Sequence, residues 1–261
     1  MKFIDCSAAI GYGGINRQII NHENYIVKEK VNEPKNAEEL LAEMDFNGID
    51  GAAVYHSSMI DVSPAYGNAT ILKECAKAPG RLIPTLAFLP SVYNPDFTVE
   101  KISEKMRESG AFALRAYPVE DRFMLDAITC GDVLEHMIAN HIPLYLSPAY
   151  GWETIFSVMK EFPALTVIIT NYGLWGSDGF FYPLVNAYKN VYIDTSDFQE
   201  TRGIEAFVRK FGSERMLFGT NYPMDNMGGP LAALVGAKIP QEDKENIAHK
   251  NIERLMSEVK R

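Results

Sequence analysis

The chain has 261 residues, 47% of them hydrophobic, and a formal net charge of −9. Its lysines and arginines are scattered along the sequence, which makes nucleic acid and anionic membrane surfaces poor partners. No apolar run approaches the roughly 18 residues of a membrane span, and the opening MKFIDC leads directly into a strand pattern without room for a signal peptide. We therefore expect a cytoplasmic protein whose partner is a small molecule.

Short apolar runs rich in β-branched and aromatic residues recur along the chain and predict eight strands. They cover residues 2–6, 51–55, 82–88, 111–116, 143–147, 166–170, 191–195 and 215–219. Helical patterns lie between them, at residues 37–47, 67–78, 98–109, 131–141, 151–161, 179–188, 202–211 and 241–257. Strands that alternate with amphipathic helices imply parallel pairing, because each crossover needs a helix to cover the sheet. Eight such units predict an α/β protein with the (β/α)8 architecture of a TIM barrel.

We expect a single domain that covers residues 1–261, since no change in composition divides the chain. The connection from residue 7 to residue 36 is much longer than a usual strand-to-helix loop, which predicts a lid over the barrel mouth. An open doubly wound sheet is the alternative, but no Gly-x-Gly-x-x-Gly pattern follows the first strand. Asp178 and Thr201 are predicted to cap the helices that follow them.

Two residues near strand ends are candidates for catalysis, because TIM barrels place their chemistry at the carboxyl ends of the strands. His56 follows the second strand, and an imidazole suits acid–base catalysis near neutral pH; the alternative is a hydrogen-bonded loop histidine. Arg115 interrupts the apolar fourth strand. It either grips a carboxylate of the ligand or forms a structural ion pair with Asp5, and both roles could coexist.

Loop acids after the seventh and eighth strands, Asp197, Glu200 and Asp225, are candidates for a base or a hydroxyl acceptor, although such acids often cap helices or are solvated. We assign Asp197 to the catalytic set with His56 and Arg115. The predicted substrate contacts are Asp5, Ser7, Tyr55, Tyr117, Ser147, Asn171, Tyr172, Trp175, Asn221 and Asp225. Tyrosines and tryptophan in this set, together with Tyr222, predict an aromatic rim suited to an apolar or sugar ring.

Several stretches of the chain resemble the amidohydrolase superfamily, in particular its amidohydrolase 2 branch. FIDCSAAIG resembles the first strand of that family, GIDGAAVYHS the second, and PLYLSPAYGWETIFSVMKEFPALTVIITNYG the fifth and sixth. ERMLFGTNYPM and EDKENIAHKNIERLM resemble its last strand and terminal helix, and the LFGTNYP and NIERL pieces are the most specific. The resemblance implies a TIM-barrel hydrolase or decarboxylase.

The usual metal ligands of that family are replaced in this sequence. The resemblance places the paired histidines of the first strand at Ser7 and Ala9, and the later ligand positions at Ser147, Asn171 and Asn221. Neutral hydroxyls and carboxamides do not provide the imidazole, thiolate or carboxylate ligands that a catalytic zinc takes. The three cysteines are far apart, with no C-x-x-C, and fit reduced thiols better than a disulfide framework or a zinc site. We therefore expect no metal and no cofactor.

The leading functional hypothesis is an amidohydrolase-type hydrolase or lyase that works without a metal on a small polar molecule, anionic or sugar-derived. Without metal-activated water, lactones, activated esters and carboxylic acids are better candidate substrates than unactivated amides or phosphoesters. Ser147 has no Gly-x-Ser-x-Gly context, which argues against a serine nucleophile. One alternative is a catalytically silent barrel that binds a small ligand, and another is a metal-dependent hydrolase by analogy with the family. A homodimer is compatible with the acidic surface.

Overall fold

The computed structural model describes residues 1–11, 34–92, 94–171, 178–196, 198 and 200–260. Its strand segments, in chain order, are β1 (Ile4–Ile10), β2 (Gly51–His56), β3 (Leu82–Pro84), β4 (Leu86–Ala87), β5 (Leu114–Arg115), β6 (Leu144–Leu146), β7 (Val167–Ile169), β8 (Val191–Asp194) and β9 (Met216–Leu217). Neighbouring segments pair in parallel, in two groups that run β1 to β3 and β4 to β9.

Backbone hydrogen bonds join these two groups into a closed barrel. The N–H of Thr85, between β3 and β4, donates to the carbonyl of Val54 at 2.8 Å, so β3 and β4 are halves of one interrupted barrel strand. At the other junction the N–H of Cys6 donates to the carbonyl of Phe218 at 2.7 Å, and the N–H of Ala9 donates to the carbonyl of Tyr222 at 2.8 Å. The chain is therefore an α/β protein with a (β/α)8 barrel, which confirms the predicted fold.

Helices cover the outside of the barrel. They are α1 (Ala37–Asn47), α2 (Ser58–Asp61), α3 (Pro64–Cys75), α4 (Val99–Ser109), α5 (Ala127–Ala139), α6 (Trp152–Glu161), α7 (Asp178–Ala187), α8 (Gly203–Phe211), α9 (Gly228–Gly236), α10 (Gln241–Glu245) and α11 (Asn251–Glu258). Capping side chains set several starts; Asn36 accepts from the N–H of Glu39, and Asp126 accepts from two N–H groups at the start of α5. Within the described ranges, no helix combines the length and the hydropathy needed to cross a bilayer.

Some helix boundaries differ from the predicted ones. The final helical pattern is divided into α10, a π-helical turn at Asn246–Lys250 and α11. Thr201 is not a cap, because α8 follows Arg202, whose φ of 61° is left-handed. Asp178 is the first residue of α7. Helix α9 was not predicted, since its three glycines and one proline lower its intrinsic helix propensity.

The first strand is longer than predicted. It continues to Ile10, with a register shift between Asp5 and Ala8, so Ser7 and Ala9 belong to the strand and not to the following loop. Its second half pairs with β2 on one side and with the chain beyond β9 on the other. These pairings satisfy the backbone N–H and C=O groups of a segment whose small side chains have little strand propensity. Residues 12–33 of the expected lid lie outside the described part of the chain, so the lid stays a prediction.

Two apolar layers hold the barrel together. Side chains inside the barrel include Ile4, Cys6, Ala53, Tyr145, Ile168 and Leu217, and a larger cluster fills the space between the strands and the helices. The three cysteines are buried and unpaired. Alternate residues of each strand thus face the barrel interior or the helices, and inward-facing residues near the carboxyl ends reach the mouth.

Candidate functional site

A cavity of about 180 Å³ opens at the carboxyl ends of several barrel strands. It is lined by Ser7, Tyr55, Ile60, Arg115, Ala116, Tyr117, Glu120, Tyr145, Leu146, Ser147, Ala149, Tyr150, Thr170 and Asn171. Pockets for drug-sized ligands span about 300–1,000 Å³. The described walls therefore enclose room for a small ligand, and five of the predicted substrate contacts lie in this lining.

Arg115 is buried at the base of the cavity, with 5% of its surface exposed. Its Nε donates a hydrogen bond to Oγ1 of Thr85 at 2.8 Å, and its Nη2 donates to Oγ of Ser7 at 3.3 Å. Thr85 lies at the break between β3 and β4, and Ser7 lies at the irregularity of β1. Both local departures from regular strand structure therefore bring a hydroxyl to the guanidinium group.

Two tyrosine rings hold the guanidinium group of Arg115. Its central carbon lies 4.2 Å from the ring centroid of Tyr55 and 4.2 Å from that of Tyr145, within the range of a cation–π contact. The Tyr145 hydroxyl crosses the barrel and donates to the carbonyl of Cys6 at 2.7 Å, which fixes one of the rings. The group is therefore held at a set orientation by aromatic contacts and neutral hydroxyls.

The guanidinium of Arg115 keeps hydrogen-bonding capacity for a ligand. It has five N–H donors, and within the described residues its hydrogen bonds go to Thr85 and Ser7 alone, so Nη1 is unused. No carboxylate of the described chain lies within 4.0 Å of it, and the structural ion pair with Asp5 is therefore not formed. A buried guanidinium with no carboxylate in direct contact is suited to hold an anionic ligand.

Asp5 is fully buried and forms hydrogen bonds with the backbone of the barrel. Its carboxylate accepts hydrogen bonds from the N–H of Ser7 at 2.9 Å, from the N–H of Thr220 at 3.1 Å and from the Thr220 hydroxyl. Burial raises the pKa of Asp5 above its ordinary value, while these hydrogen bonds and the Arg115 charge oppose that shift. Asp5 therefore positions β1 and the residues after β9, and it does not line the cavity.

Ser147 and Asn171 lie at the cavity wall and hold local backbone turns. Ser147 Oγ accepts from the N–H of Ala149 at the start of a short 3-10 turn, Pro148–Tyr150. Asn171 has a left-handed φ of 55°, and its N–H donates to Oγ of Ser196 at 3.3 Å. Ser196 in turn donates to Asp194 at 2.5 Å. Their remaining polar atoms are neutral groups that can contact a ligand.

His56 is directed away from this cavity. Tyr55 faces the barrel interior, so the next residue of β2 faces the opposite side. The His56 Nδ1 accepts from the N–H of Ser58 at 3.1 Å, and its ring packs so tightly against Gly11 that a Cβ there would lie 2.6 Å from Cε1. Burial lowers the pKa of His56, with Glu74 opposing. The structure therefore does not bring His56 and Arg115 together, and the geometry matches the alternative of a hydrogen-bonded histidine.

Asn221 and Asp225 also lie apart from the cavity of Arg115. Asn221 has a left-handed φ of 57°, and its Nδ2 donates to Oδ2 of Asp225 at 2.9 Å. Asp225 lines a separate cavity of about 190 Å³ with Thr195 and Phe198. Tyr222 is buried, which raises the pKa of its phenol to about 12. The segment after the last barrel strand therefore forms a second polar region at the barrel mouth.

The remaining predicted residues, Tyr172, Trp175 and Asp197, lie outside the described residues. Sequence reasoning missed Thr85, Tyr145 and Tyr150. Tyr145 had a usable signal, because it stands two residues before Ser147 on the same strand and hence on the same face. Thr85 had none, since its role depends on the break between β3 and β4.

Comparison with known proteins identifies a family and a set of similar folds. The family model described as amidohydrolase (Amidohydro_2) matches residues 33–256. No curated protein matches the sequence significantly. A 5-carboxyvanillate decarboxylase from Sphingomonas paucimobilis has a TM-score of 0.74 at 17% identity, with 99% of each chain covered.

Two further solved structures have similar folds. A 5-carboxyvanillate decarboxylase variant from Novosphingobium aromaticivorans, with bound manganese and 3-methoxy-4-hydroxy-5-nitrobenzoic acid, has a TM-score of 0.76 at 16% identity, with 98% of this chain and 97% of that chain covered. A 4-oxalomesaconate hydratase from Rhodopseudomonas palustris has a TM-score of 0.69 at 17% identity, with 98% and 96% covered. At these identities the likeness concerns the fold.

Proposed function

The chain belongs to the amidohydrolase (Amidohydro_2) family, and on that premise we propose that it binds a small carboxylic acid at the barrel mouth and processes it, by lyase or hydrolase chemistry, without a metal. The observation that carries the proposal is the buried guanidinium of Arg115, which has no carboxylate partner in the described chain and an unused Nη1. Decarboxylases and a hydratase with similar folds act on acids, which supports the choice of a carboxylate and of lyase chemistry.

Metal independence is the part of the proposal that departs from the family resemblance. The positions where that resemblance implies metal ligands are Ser7, Ala9, Ser147, Asn171 and Asn221. In the described ranges, no three His, Cys, Asp or Glu side chains come together to hold a metal ion. Ser7 accepts a hydrogen bond from Arg115, whose positive charge repels a divalent cation. The donor set does not fit zinc or manganese.

The chain's own residues supply an anchor and a shaped wall. Arg115 can donate a hydrogen bond from Nη1 to the carboxylate of a bound acid, and its fork is already oriented by Thr85 and Ser7, so little side-chain entropy is lost on binding. Tyr55 and Tyr145 shield the charge from water and strengthen its attraction for the anion. The reaction would then take place at the atoms of the acid that lie next to its bound carboxylate, in contact with neutral hydroxyl groups of the cavity wall.

A catalytically silent binding protein is the second candidate, and one observation favours it. Among the described residues that line the cavity, Glu120 is the one carboxylate, it is exposed, and there is no histidine. General acid–base catalysis needs a titratable group within hydrogen-bond reach of the reacting atoms. A binder would keep the Arg115 anchor and would not turn the acid over.

The test is the binding of benzoate to the purified protein, with benzamide as its uncharged analogue, measured by calorimetry with and without EDTA. We expect benzoate to bind, benzamide not to bind, and the chelator to have no effect. Arg115→Met should weaken benzoate binding by about 1.5–3 kcal/mol, the range for hydrogen bonds to charged groups. Arg107→Met, which removes the same charge from the exposed face of α4, is the matched control. Arg115→Lys keeps the charge if the methionine variant does not fold.

Turnover is measured separately, by NMR of a panel of small acids and lactones incubated with the protein. Consumption that persists in EDTA and is lost in the Arg115 variants supports the enzyme. Binding of benzoate with no turnover in the panel selects the silent binder. Binding or turnover that EDTA abolishes and added manganese or zinc restores would refute metal independence, and unchanged affinity in Arg115→Met would refute the anchor.

A further inference from the structure

The hydroxyl of Tyr117 is a buried polar group that the anchor described above does not use. The side chain is 6% exposed, and its oxygen has no hydrogen-bond partner among the described residues. Such groups are rare in folded proteins, because an unpaired buried donor has lost its hydrogen bond to water without a replacement. The Tyr117 hydroxyl is therefore available to form a hydrogen bond with a bound ligand.

Tyr117 lies beside Arg115 in the same cavity. The two residues are separated by one position in an extended stretch, so their side chains project to the same side, and both line the cavity. The guanidinium is near enough to favour the ionised phenol electrostatically, although its N–H groups do not meet the hydroxyl with hydrogen-bond geometry. Burial dominates and raises the pKa of Tyr117 well above its ordinary value, so the phenol keeps its proton at neutral pH and can donate it.

Resting on the proposed function, we infer that Tyr117 selects the ligand by donating a hydrogen bond to an uncharged oxygen adjacent to the carboxylate that Arg115 holds. The oxygen must be adjacent because the hydroxyl lies beside the guanidinium. The ligand class is a small acid with a carbonyl or hydroxyl oxygen on the carbon next to its carboxylate. The tyrosines of the wall favour a planar group, and Tyr150 packs edge-on against Tyr117 with ring centroids 6.4 Å apart, which holds the phenol in place.

The experiment compares phenylglyoxylate with phenylacetate, two acids that differ only in a carbonyl oxygen in place of two hydrogens next to the carboxylate. Wild-type protein should bind phenylglyoxylate about tenfold more tightly, as one hydrogen bond predicts. In Tyr117→Phe this preference should fall to within about twofold, with the affinity for phenylacetate unchanged. Tyr66→Phe removes a single hydroxyl from the exposed face of α3, outside the cavity, and should retain the preference, which makes it the matched control.

Stability gives a second readout that does not depend on the ligands. Because the Tyr117 hydroxyl has no partner, Tyr117→Phe should unfold at the same or a higher denaturant concentration than the wild type. A marked loss of stability would show that the hydroxyl has a structural partner and would overturn the inference. So would equal binding of the two acids by the wild type, or an undiminished preference in Tyr117→Phe. If neither acid binds the wild type, the proposed function fails as well, whereas the other outcomes leave it standing.

Discussion

The guanidinium carbon of Arg115 lies 4.2 Å from the ring centroid of Tyr145, whose hydroxyl is bonded at 2.7 Å to the backbone of β1 on the other side of the barrel. The ring therefore has two roles: it covers one face of the cation, and it ties two strands together. The two roles can be separated by substitution.

Tyr145→Phe keeps the ring and removes the hydroxyl, which leaves the buried carbonyl of Cys6 without that donor. We expect a loss of about 1–2 kcal/mol in the free energy of unfolding and no change in carboxylate affinity. Tyr145→Leu also removes the face of the ring and should weaken benzoate binding about three- to tenfold. Denaturant unfolding and calorimetry measure the two effects. Equal benzoate affinity in the phenylalanine and leucine variants would contradict the role of the ring.

Gly219→Ala should destabilise the barrel by about 1–3 kcal/mol, because the mouth of the barrel has no room for a methyl group there. A Cβ at Gly219 would lie 2.9 Å from Cβ and Oδ2 of Asp194 and 2.9 Å from Sγ of Cys6. Gly131→Ala is the matched control, since Gly131 lies in helix α5 with nothing within 4 Å of a Cβ. It should stabilise the protein by about 0.5–1 kcal/mol. Equal unfolding midpoints for the two variants would disprove this packing argument.

Asn221→Asp tests whether a carboxylate can be tolerated at the end of the last barrel strand. The change turns the donor to Asp225 into a second acceptor and places two negative charges side by side, while the left-handed φ still suits the residue. We expect a loss of about 1–3 kcal/mol at neutral pH and no gain of zinc binding.

The pH dependence of this variant has a defined sign. Protonation of the paired carboxyl groups relieves their mutual repulsion, so the stability is present at low pH and is lost as the pH rises and both groups ionise. Asn221→Asp combined with Asp225→Asn restores one amide and one carboxylate and should recover most of the loss. Tight zinc binding by the single variant, measured by calorimetry, would argue for a latent metal site.

The partly buried imidazole of His56 should lower the free energy of unfolding when the protein is acidified. Burial lowers its folded-state pKa below the usual 6.5, so its contribution to stability is present above pH 6.5 and is lost as the pH falls through the folded pKa. His56→Asn retains an acceptor for the Ser58 N–H and cannot titrate. Its unfolding free energy should therefore fall less than that of the wild type between pH 7.5 and 5 (an interval of about 2.5 pH units that includes the imidazole pKa).

His141→Asn is the control for that measurement, because His141 is exposed and has a left-handed φ of 55° that asparagine accepts. It should follow the wild-type pH profile. Parallel profiles for the wild type and His56→Asn would show that His56 is not the titrating group.

Much of the fold follows from periodicity alone. Runs such as those at β2, β7 and β8 lie within a residue or two of their predicted positions, because a buried parallel strand must be a short apolar run between amphipathic helices. Caps were predicted less well, since Asn36 caps α1 without having been predicted and Thr201 does not cap α8. Helix α9 and the extension of β1 were missed since tertiary partners there override weak local propensity.

In the candidate site, too, some features follow from the sequence and others from the tertiary structure. The sequence by itself determined that a lone arginine interrupts the fourth strand of a (β/α)8 barrel and that Ser7, Ser147, Asn171 and Asn221 are neutral. Only the tertiary structure decided that Arg115 is bonded to Thr85 and Ser7 without an ion pair to Asp5, and that His56 faces away from it. The physical reason is that side-chain periodicity in a strand assigns a face, whereas the partner across the barrel depends on strand register, on bulges and on the break between β3 and β4, none of which has a local signature.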